Sequence, residues 1–145
     1  MGSRLLEKVS DILTASAEDY LETILELTEA GTAARVTDIA QKMGIAKPSV
    51  TEAVATLKER GLVSQERYGQ ISLTAQGLLE AKRVRRRHLV LRTFLRDVLG
   101  VDEAQAEADA CQIEHVVSAE TMEKMVAFLE RGLLTIDSEK GQRIP

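Results

Sequence analysis

The sequence predicts a mainly α fold, and three observations predict it. Apolar residues recur at helical spacing, as at Tyr20, Leu21, Ile24, Leu25 and Leu27. Apolar residues make up 44% of the chain while aromatics make up only 3% and Trp is absent, so the core must be built from Leu, Val, Ile and Ala. The apolar stretches are bounded by Ser, Thr and Asp before them and Gly after them, where helices start and stop. At 145 residues the chain is long enough for one compact domain or two small ones sharing a core.

Ser16–Glu29 reads as the first helix, with Ser16 as N-cap, Asp19 three residues on in the position of a capping-box partner, and Gly31 as the stop. Residues 1–13 carry Leu5, Leu6, Val9, Ile12 and Leu13, an extra amphipathic helix or an arm. Thr37 is the expected cap of a short helix over Asp38–Met43, with Ile39, Ala40 and Met43 facing inward. Gly44 supplies a turn in which φ > 0 is often required. Pro48 then opens a helix that runs to about Arg60, buries Val50, Val54 and Leu57, and stops at Gly61. Two short helices around a tight turn containing Gly form a helix-turn-helix. Leu62–Arg67 and Gln70–Leu73 flank Tyr68-Gly69 as a short hairpin, a wing. Thr74 caps a long helix over about Ala75–Leu99; Asp102 starts another, to about Val117; and Ser118 caps a last one, Ala119–Arg131, closed by Gly132. Leu133–Pro145 has little pattern.

The net charge of -4 is unevenly spread. Residues 1–87 hold 13 Lys/Arg against 12 Asp/Glu; residues 88–145 hold 6 against 11. Within 30–73 the balance is 6 to 4. DNA affinity depends on local phosphate contacts, so an acidic total does not exclude it. No stretch approaches the roughly 20 apolar residues that span a bilayer, and the N-terminus has no long apolar block. A cytoplasmic protein without a membrane partner is expected. The single cysteine, Cys111, has no internal partner for a disulfide and is a packed thiol, a reactive thiol or a metal ligand.

A winged helix-turn-helix sets its second helix in the major groove with its N-terminal residues at base edges. Here that region holds Lys47, Ser49, Thr51 and Glu52; Ser and Thr can bond bases or phosphates, and Lys47 can reach a guanine edge or a phosphate. Arg35, Lys42, Lys58, Arg60 and Arg67 would touch the backbone, which positions without specifying. Val50 belongs to the core. The run Lys82-Arg83-Val84-Arg85-Arg86-Arg87 spreads around most of a helix and reads as a solvated connector with salt bridges to nearby acids.

Cys111, Glu114 and His115 stand at i, i+3 and i+4 and so share one helical face. Thiolate, carboxylate and imidazole together suit Fe, Mn, Co, Ni or Zn, and argue against Mg or Ca. One helix cannot close such a site alone. Asp19 and Glu22, one turn apart on the first helix, and His88, on the long helix, are the further candidate ligands.

The chain resembles the diphtheria-toxin repressor and manganese-transport regulator family over about residues 14–131. The resemblance rests on A-E-D-Y-L-E-T-I (17–24), V-T-D-I-A (36–40), P-S-V-T (48–51), L-T-A-Q-G (73–77), R-H-L (87–89), F-L (94–95), G-V-D (100–102) and A-C-Q-I-E-H-V-V-S (110–118). It implies a homodimer on double-stranded operator DNA, with a winged helix-turn-helix domain over 1–77, N-terminal arm included, and a helical metal-binding and dimerisation domain over 78–145. It carries the metal ligands onto Asp19, Glu22, His88, Glu114 and His115. At the remaining position manganese regulators resemble Glu and iron regulators resemble Cys, which stands here as Cys111. Asp19 matches the manganese branch, where the iron branch has Met. Arg92 and Glu107 stand where the iron branch has the Glu and His of a second site; Glu107 keeps a ligating side chain. The chain ends before the family's SH3-like domain would begin, as in the short, manganese-type members.

The function expected is a repressor of metal-uptake genes activated by Mn(II) or Fe(II), not an enzyme: no nucleophile motif or phosphate-cradling Gly loop accompanies the Cys/Glu/His group. The alternative is a metal-independent winged-helix regulator that senses a small ligand or oxidation of its thiol.

Overall fold

The computed structural model describes residues 13–66 and 69–140. The reading of residues 1–12 and of Arg67 therefore lies outside the described residues. The chain divides after Arg83 into two compact units.

The first unit opens with α1 (Ala15–Glu29), and its cap is Thr14 rather than the expected Ser16. Thr14 has the extended backbone of a cap and its Oγ1 accepts from the Ala17 N–H at 3.1 Å, which leaves Ser16 inside the first turn. α2 (Val36–Met43) likewise starts before the expected Thr37. Its entry is fixed from within by Asp38, whose carboxylate accepts from the Arg35 N–H at 3.1 Å. Gly44 takes φ +67 and turns the chain toward α3 (Lys47–Glu59), with Pro48 in its first turn. Leu21, Ile24, Ile39, Val50 and Leu57 are fully buried, so three helical stripes meet in one core. Lys42 meets Glu26 across α1 and α2 at 3.2 Å.

The wing is shorter than its sequence suggests: β1 (Val63–Gln65) pairs antiparallel with β2 (Ile71–Leu73), Val63 opposite Leu73. Only Val63 and Ile71 turn inward, and Ile71 also donates its N–H to the Ala34 carbonyl at 2.7 Å. Thr74 caps the next helix as expected. Its Oγ1 accepts from the Gly77 N–H at 3.0 Å and donates to the Gly61 carbonyl at 2.7 Å. A Cβ on Gly77 would lie 1.8 Å from the Leu62 carbonyl oxygen, so the L-T-A-Q-G segment needs glycine for close approach of helix and wing.

That helix, α4 (Ala75–Thr93), is α-helical to Thr93 only. The expected continuation to Leu99 widens into a π turn over Phe94–Val98. The Leu99 N–H bonds the Phe94 carbonyl at 3.1 Å, and the Val101 N–H then reaches back to the Leu95 carbonyl at 2.8 Å with Gly100 at φ +74, a left-handed closure of the helix. α5 (Glu103–Ile113) stops four residues short of the expected Val117. The Val116 and Val117 N–H groups both turn back onto the Ile113 carbonyl, and Ser118 then caps α6 (Ala119–Lys140) through the Thr121 N–H. α6 runs through Gly132 instead of ending there. One interior glycine costs about 1 kcal/mol, and the Leu-rich residues after it favour helix. Phe128 of α6 meets Phe94 edge to face, centroids 5.9 Å apart.

The basic run is only partly the solvated connector expected of it. Arg83 pairs with Glu80 at 3.1 Å, but Arg87 is half-buried and donates through Nη2 to the Val117 carbonyl. Among the described residues no helix is long and apolar enough to cross a membrane.

Candidate metal centre

α4 and α5 each deliver a face of donors to one place in the second unit. His88, on α4, is 7% exposed and Glu114, the C-cap of α5, is 3% exposed. Groups of this kind are rarely buried unless they are paired. His88 Nδ1 donates to Glu114 Oε2 at 2.8 Å, and Nε2 donates to Glu107 Oε1 at 2.8 Å. The other Glu114 oxygen lies 3.3 Å from His115 Nε2. Cys111 Sγ is 3.8 Å from His88 Nδ1.

Two N–H donors on one imidazole require the imidazolium form. The hydrogen bond to Glu114 above all, with that to Glu107, outweighs burial and pushes the His88 pKa up to about 9. Burial pushes the Glu107 carboxyl up, but His88 and Arg92 together bring it below the usual carboxylate range. A proton on His88 thus holds the buried Glu114 charge. A metal ion would take over that role and release the proton. The donor set fits such an ion: one donor atom each from His88, Glu107 and Cys111 lies within 4.8 Å of the others. Imidazole, carboxylate and thiolate are the ligands of a transition metal.

Of the expected ligands, His88, Cys111, Glu114 and His115 come together in this unit. Glu114 still has α geometry, but His115 lies in the turn beyond α5, so the shared helical face covers Cys111 and Glu114 and not all three. Asp19 and Glu22 lie one turn apart on α1, in the first unit. Glu107 contacts His88 directly, though the i, i+3, i+4 pattern passes over it. The signal that finds it is the longer face Glu107, Cys111, Glu114, at i, i+4 and i+7.

The helix expected to read DNA is α3. Lys47, Ser49, Thr51, Glu52 and Lys58 are all exposed on it, Arg35 is exposed before α2, and Val50 is fully buried as expected. The Thr51 hydroxyl donates to the Lys47 carbonyl at 3.1 Å. Its oxygen keeps its acceptor capacity for a base or a backbone group. Between α1 and α3 lies a cavity of about 360 Å³ bounded by Tyr20, Glu52, Thr56 and Arg60. Burial and the Glu52 charge raise the Tyr20 pKa there.

Two family models match the chain: "Iron dependent repressor, N-terminal DNA binding domain" over residues 12–71, and "Iron dependent repressor, metal binding and dimerisation domain" over residues 74–134. The chain is 36% identical over 120 residues to an HTH-type transcriptional regulator of Methanocaldococcus jannaschii, covering 82% of this chain and 96% of that protein. It is 35% identical over 127 residues to the HTH-type transcriptional regulator MntR of Shouchella clausii, covering 86% and 88%. Among solved structures, the manganese regulator SloR superposes with a TM-score of 0.71 at 32% identity, covering 79% of this chain and 53% of that one. The chain therefore spans about half the length of SloR. It belongs to the iron-dependent repressor family, whose members are metal-dependent transcriptional repressors that join a DNA-binding domain to a metal-binding and dimerisation domain.

Proposed function

We propose that this chain is a homodimeric repressor of metal-uptake genes whose grip on operator DNA is switched on by Mn(II) or Fe(II). The observation that carries the reading is the buried His88–Glu114 pair with Cys111 and His115 beside it. We propose Asp19, Glu22, His88, Cys111, Glu114 and His115 as the ligands of one ion. Three carboxylates against one thiolate favour Mn(II); Cys111 is the ligand that draws Fe(II). The ion would supply a charge that no proton can match, and ligands drawn from α1 as well as from α4 and α5 would fix how the reading helices are presented.

Lys47, Ser49, Thr51 and Glu52 are proposed to meet base edges, and Arg35, Lys58 and Arg67 the DNA backbone. Leu89, Val98, Leu99, Val116 and Phe128 of the second unit are exposed apolar side chains, and they support dimerisation through that unit. Work on operator DNA implies a cytoplasmic protein. A second reading is favoured by one observation: Cys111 is exposed and lies 3.8 Å from His88, a setting that favours the reactive thiolate. C111S separates the two. A thiol-oxidation sensor loses its peroxide response and has no metal response to keep, whereas a metal sensor still responds to metal.

The direct test is DNA affinity, measured by fluorescence anisotropy on duplexes selected from a random pool, in Mn(II), in anaerobic Fe(II) and in chelator. Metal is expected to tighten binding about 5–150-fold. Equal affinity in metal and in chelator overturns the reading.

A further inference from the structure

The first unit keeps a cavity of about 360 Å³ between α1 and α3 that neither metal binding nor the fold accounts for. Its volume is at the lower end of the range of small-molecule sites. Tyr20 forms part of its wall, although the residue belongs to the apolar core and is only 5% exposed. Its hydroxyl has no hydrogen-bond partner among the described residues. A buried tyrosine hydroxyl is ordinarily satisfied. Phenylalanine would fill the same space with no donor to satisfy, so the phenol needs an explanation other than packing.

The charges on the wall decide what would satisfy it. Glu52, Thr56 and Arg60 stand at i, i+4 and i+8 along the face of α3 that borders the cavity. Arg60 already has an interaction of its own, and the Thr56 hydroxyl donates to the Glu52 carbonyl at 3.2 Å. The Glu52 carboxylate makes no ion pair among the described residues, yet its charge reaches Tyr20: after burial, it is the second cause of the raised phenol pKa. Carboxylate and phenol thus share one polar corner, and Ala17, Ala53 and Leu57 give the rest of the wall an apolar surface. An ammonium group can donate to the carboxylate and to the phenol oxygen at once. A short hydrocarbon suits the apolar wall. An anion would meet the Glu52 charge, and a purely apolar molecule would leave the phenol unsatisfied.

We infer that this cavity is a binding site for a small alkylammonium, its nitrogen held by Glu52 and the Tyr20 hydroxyl and its hydrocarbon laid against Ala17, Ala53 and Leu57, and that this ligand competes with DNA for Glu52. The competition rests on the base-reading role of Glu52 proposed above; the site itself does not. The test titrates n-butylammonium chloride into the full chain and follows backbone amide shifts by NMR. 1-Butanol, sodium butyrate and sodium chloride are the matched controls. The chains compared are wild type, E52Q, Y20F and A53L.

Butylammonium alone is expected to give saturable shifts, at the start of α1 and along α3. Its affinity should fall about tenfold or more in E52Q and about 2–10-fold in Y20F, and binding should be lost in A53L, whose larger side chain fills the space. E52Q alters only an exposed side chain, so it decides the matter even if the other variants fail to fold. No saturable shift in wild type, equal binding of 1-butanol, or unchanged affinity in E52Q each overturns the site. Saturation with the selected duplex should abolish the butylammonium shifts, and shifts that persist beside bound DNA overturn the competition. A chain that takes up butylammonium at Glu52 but binds no duplex in any metal would instead defeat the DNA-binding reading.

Discussion

The two units of this chain bury different things. In the reading unit the interior is Leu21, Ile24, Ile39, Val50, Leu57 and Ile71, all apolar and all fully covered. In the sensing unit, Val84, Leu91, Ala106 and Ala110 share the interior with His88 and Glu114. Burying apolar surface stabilises, whereas burying an ion pair returns little of the cost of desolvation. The first interior is therefore accounted for by folding. The second is not, and a buried histidine raised as His88 is belongs to the kind of group that gathers at functional sites.

Breaking the buried pair from one side is expected to have the largest effect. Glu114→Ala leaves an imidazolium without its main partner and should cost about 3–5 kcal/mol in urea unfolding of the metal-free protein. Replacing both members, His88→Leu with Glu114→Leu, should cost clearly less than the single change while metal binding is lost. If the double variant is the less stable of the two, the pair is there for the fold. In the reading unit Gly77→Ala should cost about 1–3 kcal/mol and leave metal affinity unchanged, because only the Leu62 carbonyl is in its way.

The comparison also has a pH signature. His88 is raised from 6.5 to about 9, so its protonated form stabilises the metal-free fold fully below about pH 6.5, and that contribution is lost as pH rises through 9. Metal displaces the same proton, so metal affinity should rise with pH up to about 9 and level off above it. Calorimetric titrations at several pH values check both, and a flat metal affinity between pH 6 and 8 would remove His88 from the ligand set. The smallest effect is expected at Lys58→Ala, a proposed backbone contact. It should lower the salt dependence of DNA binding by about one unit of slope, with no change in metal affinity.

Much of the reading unit was legible because its core is periodic: Val50, Val54 and Leu57 mark one face of α3 without any tertiary knowledge. Helix ends were less so. Thr14 and Ser16 are equally good caps in isolation, and only the hydroxyl that reaches the Ala17 N–H decides between them. Gly132 has the composition of a stop, yet α6 passes through it. In the sensing unit, Cys111 and Glu114 were legible from spacing on one helix. His88 lies on another helix, so local spacing says nothing of its approach; it stood out as one of the chain's two histidines, and the family resemblance then carried a ligand role onto it. The arrangement of Glu107 between His88 and Arg92 is a meeting of two helices, which no local pattern encodes.

Metal at the sensing unit and DNA at the reading unit are proposed to be linked, and linkage must be reciprocal. The most direct measurement is Mn(II) affinity of the protein alone and of the protein saturated with its selected duplex. DNA is expected to tighten Mn(II) by the same factor, about 5–150-fold, by which Mn(II) tightens DNA. Mn(II) affinity that is indifferent to DNA would contradict it.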